Sequence, residues 1–191
     1  MAFKEDYQQT CRAVLDELEK ALSSIDPDSV QRLTADILRA DQVFFVGVGR
    51  VMLSLQSVCK RMAHLGINAH CVGEITEPCF TDKDLLIVAS GSGGSLFPLG
   101  IAEKARAVAP HCTIVHVGSN PNSRMKEYAD YMVRIPVRTK QYLEDEIDSC
   151  QIMTSLFEQS VLLLGDIIAK MIVEREHVDM KSLWKYHANL E

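Results

Sequence analysis

The segment Ser90-Gly91-Ser92-Gly93-Gly94-Ser95 alternates hydroxyls with glycines. Glycine lets backbone N–H groups approach a ligand closely and adopt positive φ. Serine adds hydroxyl donors, and a helix starting there would supply unpaired N–H groups and the positive end of its dipole. Together these suit a phosphate monoester without a metal. The competing reading is a flexible turn whose last serine caps a helix. A second glycine-bearing segment, Gly47-Val48-Gly49-Arg50, begins like the G-x-G-x-x-G dinucleotide fingerprint, but Met52 stands where its third glycine belongs. Glu74 is placed where a ribose-binding acid would sit, so a dinucleotide reading stays open. Arg50 suits either a phosphate oxygen or an internal ion pair. A third segment, 118–123, offers polar contacts or simply a turn and a helix cap. No Gly-Lys-Ser/Thr occurs, which excludes a P-loop.

These loops must be held by regular elements. Val43-Phe44-Phe45-Val46, Leu85-Leu86-Ile87-Val88-Ala89 and Thr113-Ile114-Val115-His116-Val117 are continuous apolar runs that each end at a glycine or serine. Such runs suit strands buried on both faces. Shorter strand candidates are 68–72 and 131–135, and helical spacing fills 51–65, 95–108 and 122–128. Strand alternating with helix predicts a parallel sheet covered on both faces. Two helices precede it, the second starting at Asp26-Pro27, an N-cap followed by a first-turn proline. Residues 152–173 form a long helix apolar on more than one side, whose cover would come partly from another subunit. The acidic stretch 136–150 is a lid or binding loop, or a plain solvated one.

Composition narrows the partners. The 191 residues carry net charge −6, with 47% hydrophobic and 24% charged residues. That balance argues against nucleic acid and anionic membranes but leaves room for a small anion in a local positive pocket. No apolar run approaches the length that spans a bilayer. The start, Met-Ala-Phe-Lys-Glu-Asp-Tyr, shows no apolar secretory segment, and the six cysteines show no Cys-x-x-Cys spacing. A cytoplasmic protein with reduced thiols is expected. His70, His111, His116 and His177 form no discernible constellation, so no metal site is expected.

Several segments resemble one known group. Val46-Gly47-Val48-Gly49-Arg50, His64-Leu65-Gly66, Val72-Gly73-Glu74-Ile75-Thr76-Glu77-Pro78 and 84–95 resemble the sugar isomerase (SIS) domain. Gln151-Ile152-Met153-Thr154-Ser155-Leu156-Phe157-Glu158 and His187-Ala188-Asn189-Leu190-Glu191 narrow the likeness to the 6-phospho-3-hexuloisomerase family. The resemblance spans nearly the whole chain. It implies a single SIS domain over 1–191: N-terminal helices over 1–40, a core over 41–136 and C-terminal helices and tail over 150–191. It implies a three-layer, flavodoxin-like or Rossmann-like sandwich with a five-stranded parallel sheet, assembled as a homotetramer. The implied activity interconverts 3-hexulose 6-phosphate and fructose 6-phosphate without metal or organic cofactor. Carried over by position, Ser90, Gly91, Ser92, Gly93 and Ser95, with Gly49 and Arg50, would bind the phosphosugar. Glu158 would be the catalytic base, and His64 and His187 would assist, His187 in its own or in a neighbouring subunit's site.

Departures occur at Val51-Met52, at Leu96 after the serine loop, and at Ile152 and Thr154. A sugar-phosphate sensor without chemistry, or an isomerase for another phosphosugar, therefore remains an alternative. Read from the residues alone, Glu158 is either a carboxylate raised toward neutrality by an apolar helix or a dipole-stabilising first-turn acid. His64 equally suits a helix C-terminus.

Overall fold

The computed structural model describes residues 3–190; Met1, Ala2 and Glu191 lie outside the described residues. Five parallel strands run in the order β2-β1-β3-β4-β5. They are β1 (Val43–Val46), β2 (Ala69–Cys71), β3 (Leu85–Ala89), β4 (Thr113–Gly118) and β5 (Tyr131–Arg134). The helices are α1 (Phe3–Ser23), α2 (Pro27–Arg39), α3 (Gly49–His64), α4 (Leu96–Val108) and α5 (Ser155–Arg175). No described helix is long and apolar enough to cross a membrane.

The continuous apolar strands are covered on both sides. Val43 and Phe45, with Leu85, Ile87, Val115 and Val117, face a core shared with α2, α3 and α5. Phe44 and Val46, with Leu86, Val88 and Ile114, face a second core under α4. Alternation of side chains along a strand makes one run serve two layers. From β1 the chain crosses to β2 on one side and then to β3 on the other, so the strand order reverses between β1 and β3. Pairing of Val46 with Val88 sets the loops that follow these two strands side by side. That switch point, beyond the strands' carboxyl ends, is where an open α/β sheet binds ligands.

α3 and α5 lie against each other at Gly165. A Cβ there would stand 2.3 Å from Val58 Cγ2, so only glycine permits this approach. Ser54 Oγ of α3 donates to the Glu158 carbonyl of α5 at 2.8 Å. Both helices thus begin at the same end of the sheet.

Two expectations need correction. Residues 122–128 do not form an α-helix; only a 3-10 turn, Arg124–Glu127, is present. The Asn120 side chain accepts from Asn122 N–H at 2.9 Å, a local bond that competes with helix initiation. The last long helix starts at Ser155 rather than 152, because Met153 adopts φ 55°. The tail contains a 3-10 helix at Met180–Tyr186, whose first turn is capped by Asp179 through Lys181 N–H.

Candidate active site

Three helix N-termini converge beyond β1 and β3. α3, α4 and α5 begin at Val48, Ser95 and Thr154, and none of these residues caps its helix with a side chain. First-turn N–H groups have no partner within a helix. Here they surround a cavity of about 480 Å³ lined by Gly49, Arg50, Ser90, Gly91, Ser92, Ser95 and Glu158, with Thr139, Lys140 and Thr154 among the others. A cavity bordered by three N-termini without side-chain caps has the donor arrangement that suits an anion.

The serine loop supplies the floor. Ser90 is 4% exposed, and its hydroxyl has no hydrogen-bond partner among the described residues. The Ser92 hydroxyl accepts only a long bond, 3.4 Å, from Gly94 N–H. Gly93 does not line the cavity but shapes the loop. Its φ is +63°, and an added Cβ would sit 2.1 Å from Ser123 Oγ. Gly91 is pressed against Thr139, whose Cγ2 would be 2.7 Å from an added Cβ.

Glu158 sits in the first turn of α5 and is 7% exposed. One carboxylate oxygen accepts from Thr154 Oγ1 at 2.8 Å. The other takes a short ion pair from Nε of Arg50, in the first turn of α3. The Arg50 side chain is otherwise open to solvent. Arg50 therefore makes the internal ion pair in this structure while bordering the same cavity.

The acidic stretch 136–150 is an ordered wall. Its hub is Glu146, which accepts from Ser119 Oγ at 2.7 Å and from Leu143 N–H at 2.9 Å. Residues 149–151 are tied to α1 by Glu17, which accepts from Cys150 N–H and Ser149 Oγ at 2.7 Å each and Gln151 Nε2 at 3.0 Å. Burial alone would raise the Glu17 carboxyl, but these bonds outweigh it and bring its pKa down to about 2.

His64 and His187 are elsewhere. His64 is at the far end of α3, some 15 residues and roughly 22 Å along the helix from Gly49 at about 1.5 Å per residue. His187 stacks on it, with ring centroids 5.2 Å apart and planes at 18°. Both line a second cavity of about 750 Å³ with Arg61, Asp166, Lys170 and Trp184. Within one chain, neither histidine reaches the cavity that holds Glu158. Glu74 is not near it either. It bonds His70 Nδ1 at 2.8 Å and the Cys71 N–H at 3.4 Å, and does not line the cavity. Thr139 and Lys140 were not singled out in the sequence, and Thr154 only as a departure from the family pattern. Thr154, four residues before Glu158, carried the one local signal, since residues four apart share a helix face.

Comparisons with known proteins bear on the family and the fold. No protein-family model matches the chain. The chain is 34% identical over 178 residues to the 3-hexulose-6-phosphate isomerase of Bacillus subtilis, covering 93% of this chain and 95% of the relative. It is 33% identical over 187 residues to the enzyme of that name from Mycobacterium gastri, covering 98% and 92%. The chain belongs to the 3-hexulose-6-phosphate isomerase family. A solved structure from Methanococcus jannaschii, for which a function of 3-hexulose-6-phosphate isomerase was inferred, superposes with a TM-score of 0.80 at 27% identity. That match covers 96% of this chain and 99% of the other. The family's phosphosugar-isomerase fold, the SIS domain with its five-stranded parallel sheet between helices, is the fold seen here.

Proposed function

We propose that this family member interconverts 3-hexulose 6-phosphate and fructose 6-phosphate. The observation that carries the reading is the convergence of three uncapped helix N-termini and the Glu158 carboxylate on one cavity. The names of the relatives supply the substrate. In this reading the phosphate is held by Ser90, Ser92 and Ser95 and by the N–H groups of Gly91 and its neighbours. Gly49 lets the chain after β1 pass close to the sugar, its φ of +59° being one that suits glycine.

Moving the carbonyl from C3 to C2 takes a proton from C2 and returns one to C3 through an enediolate. The hydroxyl proton moves between the two oxygens. Glu158 is the group placed to carry the carbon-bound proton. It must first release one of its two hydrogen bonds. Arg50 is the partner free to leave, because its side chain is largely solvated and an incoming dianion competes for the guanidinium. The displaced Arg50 then stabilises negative charge on phosphate or enediolate.

The whole of 1–191 serves as one SIS domain in a cytoplasmic homotetramer. His64 and His187 then assist at a neighbouring subunit's cavity, since they cannot reach their own. Mixed oligomers of Glu158→Gln and His187→Ala chains should regain activity if His187 serves its neighbour; silence of the mixture would remove that role.

The decisive experiment is a panel of sugar phosphates incubated in deuterated water. Deuterium should enter carbon of fructose 6-phosphate and appear slowly or not at all in pentose and amino-sugar phosphates. Saturable binding with no carbon exchange would make the protein a sensor instead.

A further inference from the structure

His116 was left without a role by the sequence. It lies on β4 and is 3% exposed, on the face of the sheet that packs against α4. Its Nε2 is 2.8 Å from the Ser90 carbonyl oxygen. A carbonyl only accepts, so Nε2 carries the proton and donates. Burial pushes the imidazole pKa down, outweighing the Ser90 carbonyl, so the ring stays neutral in this tautomer.

This bond has a consequence for the anion loop. In a planar trans peptide the C=O and the following N–H point in opposite directions. The Ser90 carbonyl is turned toward His116, and it also accepts from Gly93 N–H at 3.0 Å. The Gly91 N–H must then point away from the α4 face, on the side where Gly91 lines the cavity. The next peptide is fixed in the same manner. The Gly91 carbonyl accepts from Ser119 and Asn120 N–H at 2.9 and 3.1 Å, which turns the Ser92 N–H away from the β4 loop. His116 Cε1 would also stand 3.0 Å from a Cβ on Gly93, so the ring fills the space beneath the loop.

We propose that His116 is a positioning residue for phosphate binding: by donating to the Ser90 carbonyl it aims the Gly91 N–H into the cavity. This deepens the phosphate-loop reading above and rests on it. The ring does not touch the ligand; it sets the direction of a donor that does. Ser119 and Asn120 hold the Gly91–Ser92 peptide without His116, so His116 acts on the Ser90–Gly91 peptide, where it shares the carbonyl with Gly93 N–H.

The test uses His116→Leu, His116→Asn and His116→Gln. Leu removes the donor, Asn keeps an amide too short to reach, and Gln carries an amide N–H to about the same distance as Nε2. Affinity for inorganic phosphate and for fructose 6-phosphate is measured by calorimetry, with KM and kcat alongside and Ser92→Ala as reference. Leu and Asn should weaken both ligands about tenfold, the worth of one charge-assisted hydrogen bond. KM should rise by more than kcat falls, and Gln should recover to within about threefold. If Leu fails to fold, the Asn and Gln pair carries the comparison. Wild-type affinity in Leu and Asn, whatever their melting temperatures, would overturn the proposal, as would Gln binding as weakly as Asn. If instead the wild type binds neither ligand, or Ser92→Ala binds as the wild type does, the phosphate-loop reading itself is lost.

Discussion

Four of the described helices begin in two ways. α2 starts at Asp26, whose carboxylate accepts from Asp28 N–H at 3.1 Å and Ser29 N–H at 3.3 Å. Its N-terminal donors are satisfied by the chain. α3, α4 and α5 start at Val48, Ser95 and Thr154 with no side-chain cap, and they face the cavity. The first arrangement stabilises the fold, whereas the second leaves donors open at the one place where the strand order reverses. Three neighbouring helix starts without caps fit the anion site proposed above.

The comparison breaks most sharply at Glu158. Glu158→Gln should lower kcat by about a thousandfold, within the usual span for a positioned acid–base group. Its fructose 6-phosphate affinity should stay within a few-fold. Turnover within tenfold of wild type would remove Glu158 from the proton transfer.

Gly93→Ala should come next. A side chain at φ +63° that meets Ser123 Oγ at 2.1 Å must distort the serine loop. Phosphate binding should be lost, and the strain of about 1–3 kcal/mol should appear as a lower melting temperature. Unchanged phosphate affinity would show that loop shape is not what binds the ligand.

The caps give a paired test of smaller size. Asp26→Ala should cost about 1 kcal/mol of stability and leave KM unmoved. Val48→Asp should do the reverse at α3, adding up to about 1 kcal/mol through a new cap while repelling a dianion and raising KM. Denaturation midpoints and kinetics on both variants check this. If both changes move stability and KM together, the distinction between the two kinds of helix start does not hold.

The smallest effect concerns the wall beside the cavity. The folded Glu17 pKa of about 2 lies below its ordinary 4.5. Because the value is depressed, this group's contribution to stability is present above pH 4.5 and fades as the pH falls toward 2. Glu17→Gln should flatten that part of the acid-unfolding curve; an unchanged curve would mean that the tie from α1 to 149–151 carries no weight.

Much of the fold was legible because its signals are local. Continuous apolar runs ending at glycine or serine marked the central strands, and Asp26-Pro27 marked the start of α2. The lapse at 122–128 came from Asn120, whose side chain captures a backbone donor that helical spacing would have used. The cavity's serine loop was visible for the same local reason: strand, glycines and helix lie within a dozen residues.

The sequence by itself determined a doubly covered parallel sheet and a glycine–serine loop able to hold an anion, because both follow from patterns spanning a few neighbouring residues. Tertiary structure decided the rest. Arg50 meets Glu158 across 108 positions, since Gly165 lets α5 close on Val58 of α3. His116 meets the Ser90 carbonyl across 26 positions, through pairing of β3 with β4. His64 and His187, which resemblance had grouped with Glu158, were separated by the length of α3. Motifs state which groups a chain owns; packing at the reversal of strand order states which of them share a cavity.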